Sequence, residues 1–160
     1  MRLLIAAVGK LKQGPERELF AHYLGRAEAA GRTLHLSPLS VVEVAESRAA
    51  TATARIKSET ETLLAKVPAS YRLVCLDPGG DLVSSEAFAK FLAKVRDDGA
   101  GGLAFLIGGA DGLGGEAAAK AAKVISFGPI TLPHGLARVL VAEQIYRAAT
   151  ILQGHPYHRG

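Results

Sequence analysis

The sequence predicts an α/β fold built on a parallel sheet. Two observations carry this prediction: continuous apolar runs, at 3–8 and 103–107, and amphipathic segments that alternate with such runs along the chain. Continuous apolar runs are typical of strands buried on both faces, and their alternation with helices is typical of α/β domains. The length of 160 residues, with 49% hydrophobic and 21% charged residues, suits one domain. We therefore predict a single domain over residues 1–160.

Each element has its own signal. Pro15 can open the first helix, whose apolar residues recur at helical spacing until Gly31. Ser84 or Ser85 caps the third helix, and Gly99 lies just beyond its end. The start of the second helix is undefined, and its charges are expected to form a solvated face. The predicted strands are 3–8, 39–44, 71–76, 103–107 and 124–127, and the predicted helices are 15–31, 45–66, 85–98, 116–123 and 134–152.

Hydropathy and the content of cysteine and histidine argue against a membrane-spanning protein and against a metal site. Lys and Arg number 19 against 15 Asp and Glu, a formal charge of +4 that suits a polyanionic partner without requiring one. No stretch approaches the roughly 18 apolar residues of a membrane-spanning helix, so we expect a cytoplasmic protein. Cys75 is the single cysteine and the five histidines are scattered, so no metal site is predicted. Within an apolar strand, Cys75 is expected to be a core residue.

Three predicted strand ends carry loops suited to a ligand: those after Leu76, Ile107 and Phe127. In parallel sheets, ligands bind beyond the carboxyl ends of strands, so three such loops together favour a pocket. The glycine-rich loop 108–115 is not a Walker loop, because Glu116 follows where lysine is needed. It matches the loose dinucleotide pattern, but no acidic residue lies between Glu116 and Glu143, so a nicotinamide enzyme is disfavoured.

The last predicted helix is apolar around most of its circumference. On a helical wheel, His134 and Arg138 share one side, whereas Glu143, Arg147 and Thr150 share the opposite one. A helix of this kind must be buried from more than one direction, in a large core or against a second subunit. For a chain of this length we favour the subunit, and therefore a homodimer. Glu143 and Arg147 also have the spacing of a simple stabilising ion pair.

These motifs together resemble a known family. The resemblance rests on Leu76-Asp77 with Gly80 and Ser85, on Phe105 to Leu113, on Thr131-Leu132-Pro133-His134 with Arg138, Glu143 and Tyr146-Arg147-Ala148, and on the ending His155-Pro156-Tyr157-His158-Arg159. In this order they closely resemble the ribosomal RNA large subunit methyltransferase H family, which are small SPOUT-class enzymes. The resemblance spans the whole chain, including Val8-Gly9-Lys10 at the end of the first strand.

The resemblance implies more than the pattern does. It implies a homodimer whose C-terminal part is threaded into a trefoil knot, with S-adenosylmethionine bound in the knot and no metal. It implies methylation of N3 of a pseudouridine in a 23S rRNA stem-loop on the assembled ribosome. By position, the implied cofactor-binding residues are Leu76, Gly108, Phe127, Gly128, Pro129, Ile130, Thr131 and Leu132.

His134 and Arg138 are the candidate catalytic residues. The N3 proton must be lost during methylation, and an imidazole is a suitable acceptor. His134 has two alternative roles, in capping the helix or in touching RNA. The candidate RNA-binding residues supply cations and stacking rings: Arg138, Arg147, Tyr157, His158 and Arg159. The rival hypothesis is a non-catalytic ribosome-binding protein that uses the same basic surface.

Overall fold

A computed structural model describes residues 1–159 of the chain. Strands and helices alternate along it, as the sequence predicts. The strands are β1 (Arg2–Val8), β2 (Leu39–Val44), β3 (Tyr71–Leu82), β4 (Gly102–Ile107) and β5 (Lys123–Ser126). The helices are α1 (Pro15–Arg32), α2 (Ala52–Lys66), α3 (Ser85–Asp97), α4 (Gly115–Lys120) and α5 (His134–Leu152). No helix among residues 1–159 is both long and apolar enough to cross a membrane.

The five strands form one parallel sheet in the order β2-β1-β4-β3-β5. The most apolar runs, β1 and β4, lie side by side, and β4 is buried along its whole length. Helices α1, α3 and α5 pack on one face of the sheet, and α2 and α4 on the other. Because every strand runs the same way, all five carboxyl ends open at one edge of the sheet.

Helix α5 is buried by its own chain. It packs against both α1 and α3, and its Val139, Ala142 and Ile145 are at most 5% exposed. The sequence predicted that this helix is buried from several directions. Packing within the single chain already provides this burial, without a second subunit. Large apolar residues are exposed elsewhere, at the carboxyl edge of β3 and β5, where Leu82 is 75% and Ile130 is 76% exposed.

Strand β3 is longer than predicted. The segment Asp77 to Gly80 does not turn the chain out of the sheet but forms a bulge, after which Asp81 and Leu82 pair again with β5. Gly80 permits this, because a Cβ there would lie 2.8 Å from backbone atoms of Val124 and Ile125. Turn residues and bulge residues have the same composition, so the sequence pattern does not separate the two.

Two helix boundaries also differ from the prediction. Helix α2 begins only at Ala52, where the Thr51 hydroxyl accepts a hydrogen bond from the Ala54 N–H, and the residues before Thr51 form a loop. Helix α4 ends at Lys120, because the Ala122 N–H already donates to the Leu73 carbonyl and Lys123 starts β5. The alanines at 121 and 122 do not indicate where α4 ends, since alanine suits both a helix and a buried turn. The Ser84 cap of α3 is confirmed.

Candidate functional site

The loops at three carboxyl strand ends enclose one cavity of about 620 Å³. They follow Leu76 of β3, Ile107 of β4 and Ser126 of β5, three strands that lie next to one another in the sheet. The floor is apolar, and much of the wall is glycine-rich backbone. This is the size and composition of a site for a small organic ligand.

The structure places most of the predicted cofactor-binding residues in this cavity. Seven of the eight line it: Leu76, Gly108, Phe127, Gly128, Ile130, Thr131 and Leu132. Pro129 does not lie on the cavity wall. His134 and Ala137, in the first turn of α5, also line it. Gly128 has a φ of 104°, which only glycine adopts without strain, and it lets the loop fold back over the cavity.

The glycine loop after β4 doubles back on itself tightly. A Cβ at Gly108 would lie 2.5 Å from the carbonyl carbon of Gly112 and 2.9 Å from the nitrogen of Leu113. The Gly112 N–H donates to the Gly109 carbonyl at 3.1 Å, and the φ of Gly112 is 90°. Position 108 therefore requires glycine for the loop to keep this shape.

Two polar residues of α2 hold the glycine loop in place. Thr60 is fully buried, and its hydroxyl accepts a hydrogen bond of 2.8 Å from the Gly114 N–H. Glu59 is 5% exposed, lies against Gly109, and accepts the Ser47 N–H at 2.8 Å. The expectation that the α2 charges form only a solvated face is therefore wrong for Glu59. A charged residue is by default exposed, and its sequence position alone does not indicate a buried loop anchor.

Charged side chains around the cavity are acidic. The lining contains Asp77 and Asp111 but, within residues 1–159, no lysine or arginine. Asp111 is bound by the Arg55 guanidinium at 2.7 and 3.2 Å, and these bonds lower the pKa of its carboxyl. The Asp77 carboxylate accepts a hydrogen bond of 2.8 Å from the Gly79 N–H and, unlike Asp111, forms no ion pair among the described residues. Such a lining favours a cationic or neutral ligand over one rich in phosphate.

His134 stands at the mouth of the cavity. It is the first residue of α5, and its Nε2 lies 3.3 Å from where a Cβ on Gly9 would be. Pro133 occupies the N-cap position, and no side chain hydrogen bond caps the helix. His134 therefore does not cap the helix, which was one of its two alternative roles.

Arg138 is buried completely and does not line the cavity. Its guanidinium donates to the carbonyls of Val8 and Gly9, at 2.6 Å each, and to the carboxylate of Glu43 at 2.6 Å. Burial lowers its pKa while Glu43 opposes that effect, and an arginine remains charged in either case. The structure thus places Arg138 inside the protein, whereas the sequence predicted that it contacts RNA and takes part in catalysis. A helical wheel shows that Arg138 lies on a polar side of the helix, but it does not show that β1 and β2 cover that side.

The C-terminal tail, residues 155–159, folds back along α5. Arg147 forms the predicted ion pair with Glu143, at 2.9 and 2.5 Å, and lies over the ring of Tyr157. The Tyr157 hydroxyl donates to Glu143 at 3.1 Å, and burial is the main cause of a raised pKa for this phenol. His158 bonds Glu86 in the first turn of α3 at 2.7 Å. Arg159 is exposed, and no tail residue described lines the cavity.

Cys75 lies inside the sheet, as expected for a core residue. It is 1% exposed, and burial raises the pKa of its thiol to about 11. At neutral pH the group is therefore a protonated thiol, which is a poor nucleophile.

Comparison with known proteins decides the family. Residues 1–158 match a family described as predicted SPOUT methyltransferases. The chain belongs to the SPOUT methyltransferase family. Three similar proteins are each named ribosomal RNA large subunit methyltransferase H. The protein from Rhodopseudomonas palustris is 54% identical over 99% of both chains, that from Xanthobacter autotrophicus 52% over 99% of both, and that from Nitrobacter winogradskyi 52% over 100% of both.

Membership of the SPOUT methyltransferase family agrees with the site as built from its residues. A methyltransferase needs a pocket for a methyl donor, and the cavity at β3, β4 and β5 has the size of a site for a small organic ligand. The family resemblance inferred from the motifs is thereby confirmed.

Proposed function

We propose that this chain uses S-adenosylmethionine to methylate N3 of a pseudouridine in a 23S rRNA stem-loop on the assembled ribosome. The observation that carries the proposal is the cavity itself, which combines an apolar floor, glycine backbone and an acidic lining without lysine or arginine among residues 1–159. S-adenosylmethionine carries a sulfonium cation and no phosphate, so its charge suits this lining. The names of the similar proteins support rRNA as the acceptor.

The residues present fit this cofactor. Gly108 lets the glycine loop close against Gly112 and Leu113, and the closed loop forms part of the wall that would hold the cofactor. Leu76, Phe127 and Leu132 supply apolar surface for an adenine ring, and Asp77 supplies a carboxylate for an ammonium group. When bound, the cofactor supplies an electrophilic methyl group. The protein then has to align the acceptor nitrogen with that group and exclude water.

Methylation at N3 forms a nitrogen–carbon bond, breaks the carbon–sulfur bond and releases the N3 proton. We propose His134 as the acceptor of this proton, because its imidazole lines the cavity and a ring nitrogen can accept a proton. Arg138 acts from inside the protein, by holding the first turns of α5 on the ends of β1 and β2.

The remaining parts of the proposal follow from the family resemblance. The chain forms a homodimer, its C-terminal part is threaded into a trefoil knot, and the whole chain is one domain. Arg147, Tyr157, His158 and Arg159 form the RNA-contacting tail surface. No metal is required, because a sulfonium methyl is already a strong electrophile.

Titration calorimetry and a transfer assay test the proposal. We expect the purified protein to bind S-adenosylmethionine in the presence of a chelator. It should then transfer a labelled methyl group to 23S rRNA in ribosomes isolated from a strain lacking the enzyme. If the protein binds the cofactor but transfers no methyl group to ribosomes, the proposed acceptor, 23S rRNA on the ribosome, is wrong. Ribosome binding with no cofactor binding would favour the rival, a non-catalytic RNA-binding protein.

A further inference from the structure

The cations that the sequence assigned to RNA are mostly engaged within the chain. Arg138 is buried on Glu43, and Arg147 is paired with Glu143 beneath Tyr157. Arg159 is exposed but stands alone at the end of the tail. A protein that holds a structured RNA needs several free cations near the acceptor site, so we expect further cations to share the contact with the RNA backbone.

Three such cations lie at the carboxyl ends of β1 and β2. Lys10 and Lys12 are exposed in the loop that joins β1 to α1, and Arg48 is exposed in the loop after β2. None of the three forms an ion pair within residues 1–159. We propose that these residues, called here the basic edge, bind the phosphate backbone of the rRNA substrate.

The two loops that carry the basic edge are neighbours. The Gly9 N–H donates to the Val44 carbonyl at 2.7 Å, which joins the two loops where they leave the sheet. The Glu46 carboxylate lies 3.0 Å from where a Cβ on Gly9 would be, so the loop after β2 passes directly beside Gly9. Lys10, Lys12 and Arg48 therefore lie in two loops that leave the sheet side by side.

Two of the nearby carboxylates, Glu43 and Glu59, are engaged by other groups of the protein. Glu43 accepts hydrogen bonds from Arg138 and from the Leu11 N–H, at 2.6 and 3.0 Å. Glu59 is buried and accepts the Ser47 N–H. Glu46 is exposed with its carboxylate beside Gly9, and Glu16 and Glu18 are exposed in the first turn of α1. Glu43 and Glu59 thus bind the backbone, and Lys10, Lys12 and Arg48 form no ion pair with any of these carboxylates among the described residues.

The same contacts fix the loop between β1 and α1. Arg138 holds the carbonyls of Val8 and Gly9, and Glu43 holds the amide of Leu11, so the segment is anchored on both sides of Lys10. An anchored loop loses little conformational entropy when RNA binds, which favours affinity. The buried ion pair therefore positions the basic edge.

The basic edge adjoins the cavity on its His134 side. His134 lines the cavity and stands 3.3 Å from the Cβ position of Gly9, one residue before Lys10. Phosphates bound at Lys10 and Lys12 would place the following nucleotides at the cavity mouth. This inference rests on the proposed function, since it takes the rRNA substrate as the occupant.

The salt dependence of RNA binding tests the basic edge. Each lost phosphate contact lowers the slope of log K against log salt by about 0.7 to 0.9. We expect Lys10→Gln/Lys12→Gln to lower the slope for a protein-free 23S rRNA stem-loop by about 1.4 to 1.8, and the further change Arg48→Gln to lower it again. S-adenosylmethionine affinity should not change, because none of the three residues lines the cavity.

A matched control removes two cations at the opposite edge. Arg2 and Lys66 are exposed at the amino end of β1 and the last turn of α2. Arg2→Gln/Lys66→Gln should leave the slope as in the wild type. An unchanged slope for the Lys10/Lys12 variant, or an equal loss in the control, would overturn the inference. So would loss of binding to ribosomes with normal binding to the stem-loop, since a ribosomal protein would then be the partner.

Transfer kinetics separate this inference from the proposed function. If the wild type methylates ribosomes, the Lys10/Lys12 variant should show a raised KM for ribosomes with an unchanged kcat. An unchanged KM overturns the basic edge and leaves the proposed function standing. If the wild type transfers no methyl group, the proposed function fails, and the salt slopes still decide whether the edge binds RNA.

Discussion

Gly108 is the residue on which the shape of the cavity most directly depends. Its missing side chain allows the glycine loop to close against Gly112 and Leu113. We expect Gly108→Ala to push this loop outward and weaken S-adenosylmethionine binding at least about tenfold, or about 1.4 kcal/mol. Calorimetry measures the affinity, and thermal unfolding measures whether the fold persists.

Gly115→Ala is the control for this prediction. A Cβ at Gly115 meets no atom within 4 Å, and the residue does not line the cavity. Its cofactor affinity should equal that of the wild type. Normal affinity in Gly108→Ala would remove the glycine loop from the cofactor site.

Some site residues could be predicted from the sequence and others could not. Leu76, Gly108 and Phe127 could be predicted as cavity residues because the strand ends converge in any parallel sheet. The burial of Arg138 and Glu59 could not, because each depends on a partner far away in sequence. A charged residue in isolation is expected to be exposed, and only the assembled fold reveals an inward hydrogen bond.

At the scale of elements, the C-terminal tail is the segment whose role is most open to test. It packs on α5 and α3 through Tyr157 and His158, outside the cavity. We predict that it closes over the target nucleotide during transfer. A protein ending at Gly154 should bind S-adenosylmethionine normally but transfer methyl groups about ten to a hundred times more slowly in single-turnover assays, as expected for losing about 1.5 to 3 kcal/mol of charged contact.

Arg159→Ala refines this prediction. Its side chain is exposed, so the substitution should leave the packing of Tyr157 intact while removing one cation. Partial loss of rate in Arg159→Ala and full loss in the truncated protein would agree with a tail that contacts RNA. Wild-type rates in the truncated protein would show that the tail is only a terminus.

The sequence predicts a helix or strand correctly where a single local feature determines it. The apolar runs of β1 and β4 and the Ser84 cap of α3 each correspond to one local cause. The bulge at Gly80 and the end of α4 depend on pairing with another strand, which a local pattern does not contain.

At the scale of the whole molecule, we predict that an exposed apolar surface forms the interface of a homodimer. Leu82, Phe127 and Ile130 are 75%, 38% and 76% exposed and lie at one edge, on β3 and on the loop after β5. Light scattering should give about twice the chain mass of 16.7 kDa. Leu82→Asp should give a monomer with a nearly unchanged melting temperature, because the side chain is exposed within the single chain.

Leu19→Asp supplies the comparison. Leu19 is 44% exposed on α1, away from this edge. The variant should remain dimeric. A wild-type monomer in dilute solution would contradict the dimer, and a dimeric Leu82→Asp protein would place the interface on another surface.

The most direct test of the central claim is nucleoside mass spectrometry of 23S rRNA from a strain that lacks this gene. We predict that N3-methylpseudouridine disappears from the rRNA, returns when the wild-type gene is restored, and stays absent with the Gly108→Ala gene. An unchanged level of N3-methylpseudouridine in the deletion strain would contradict it.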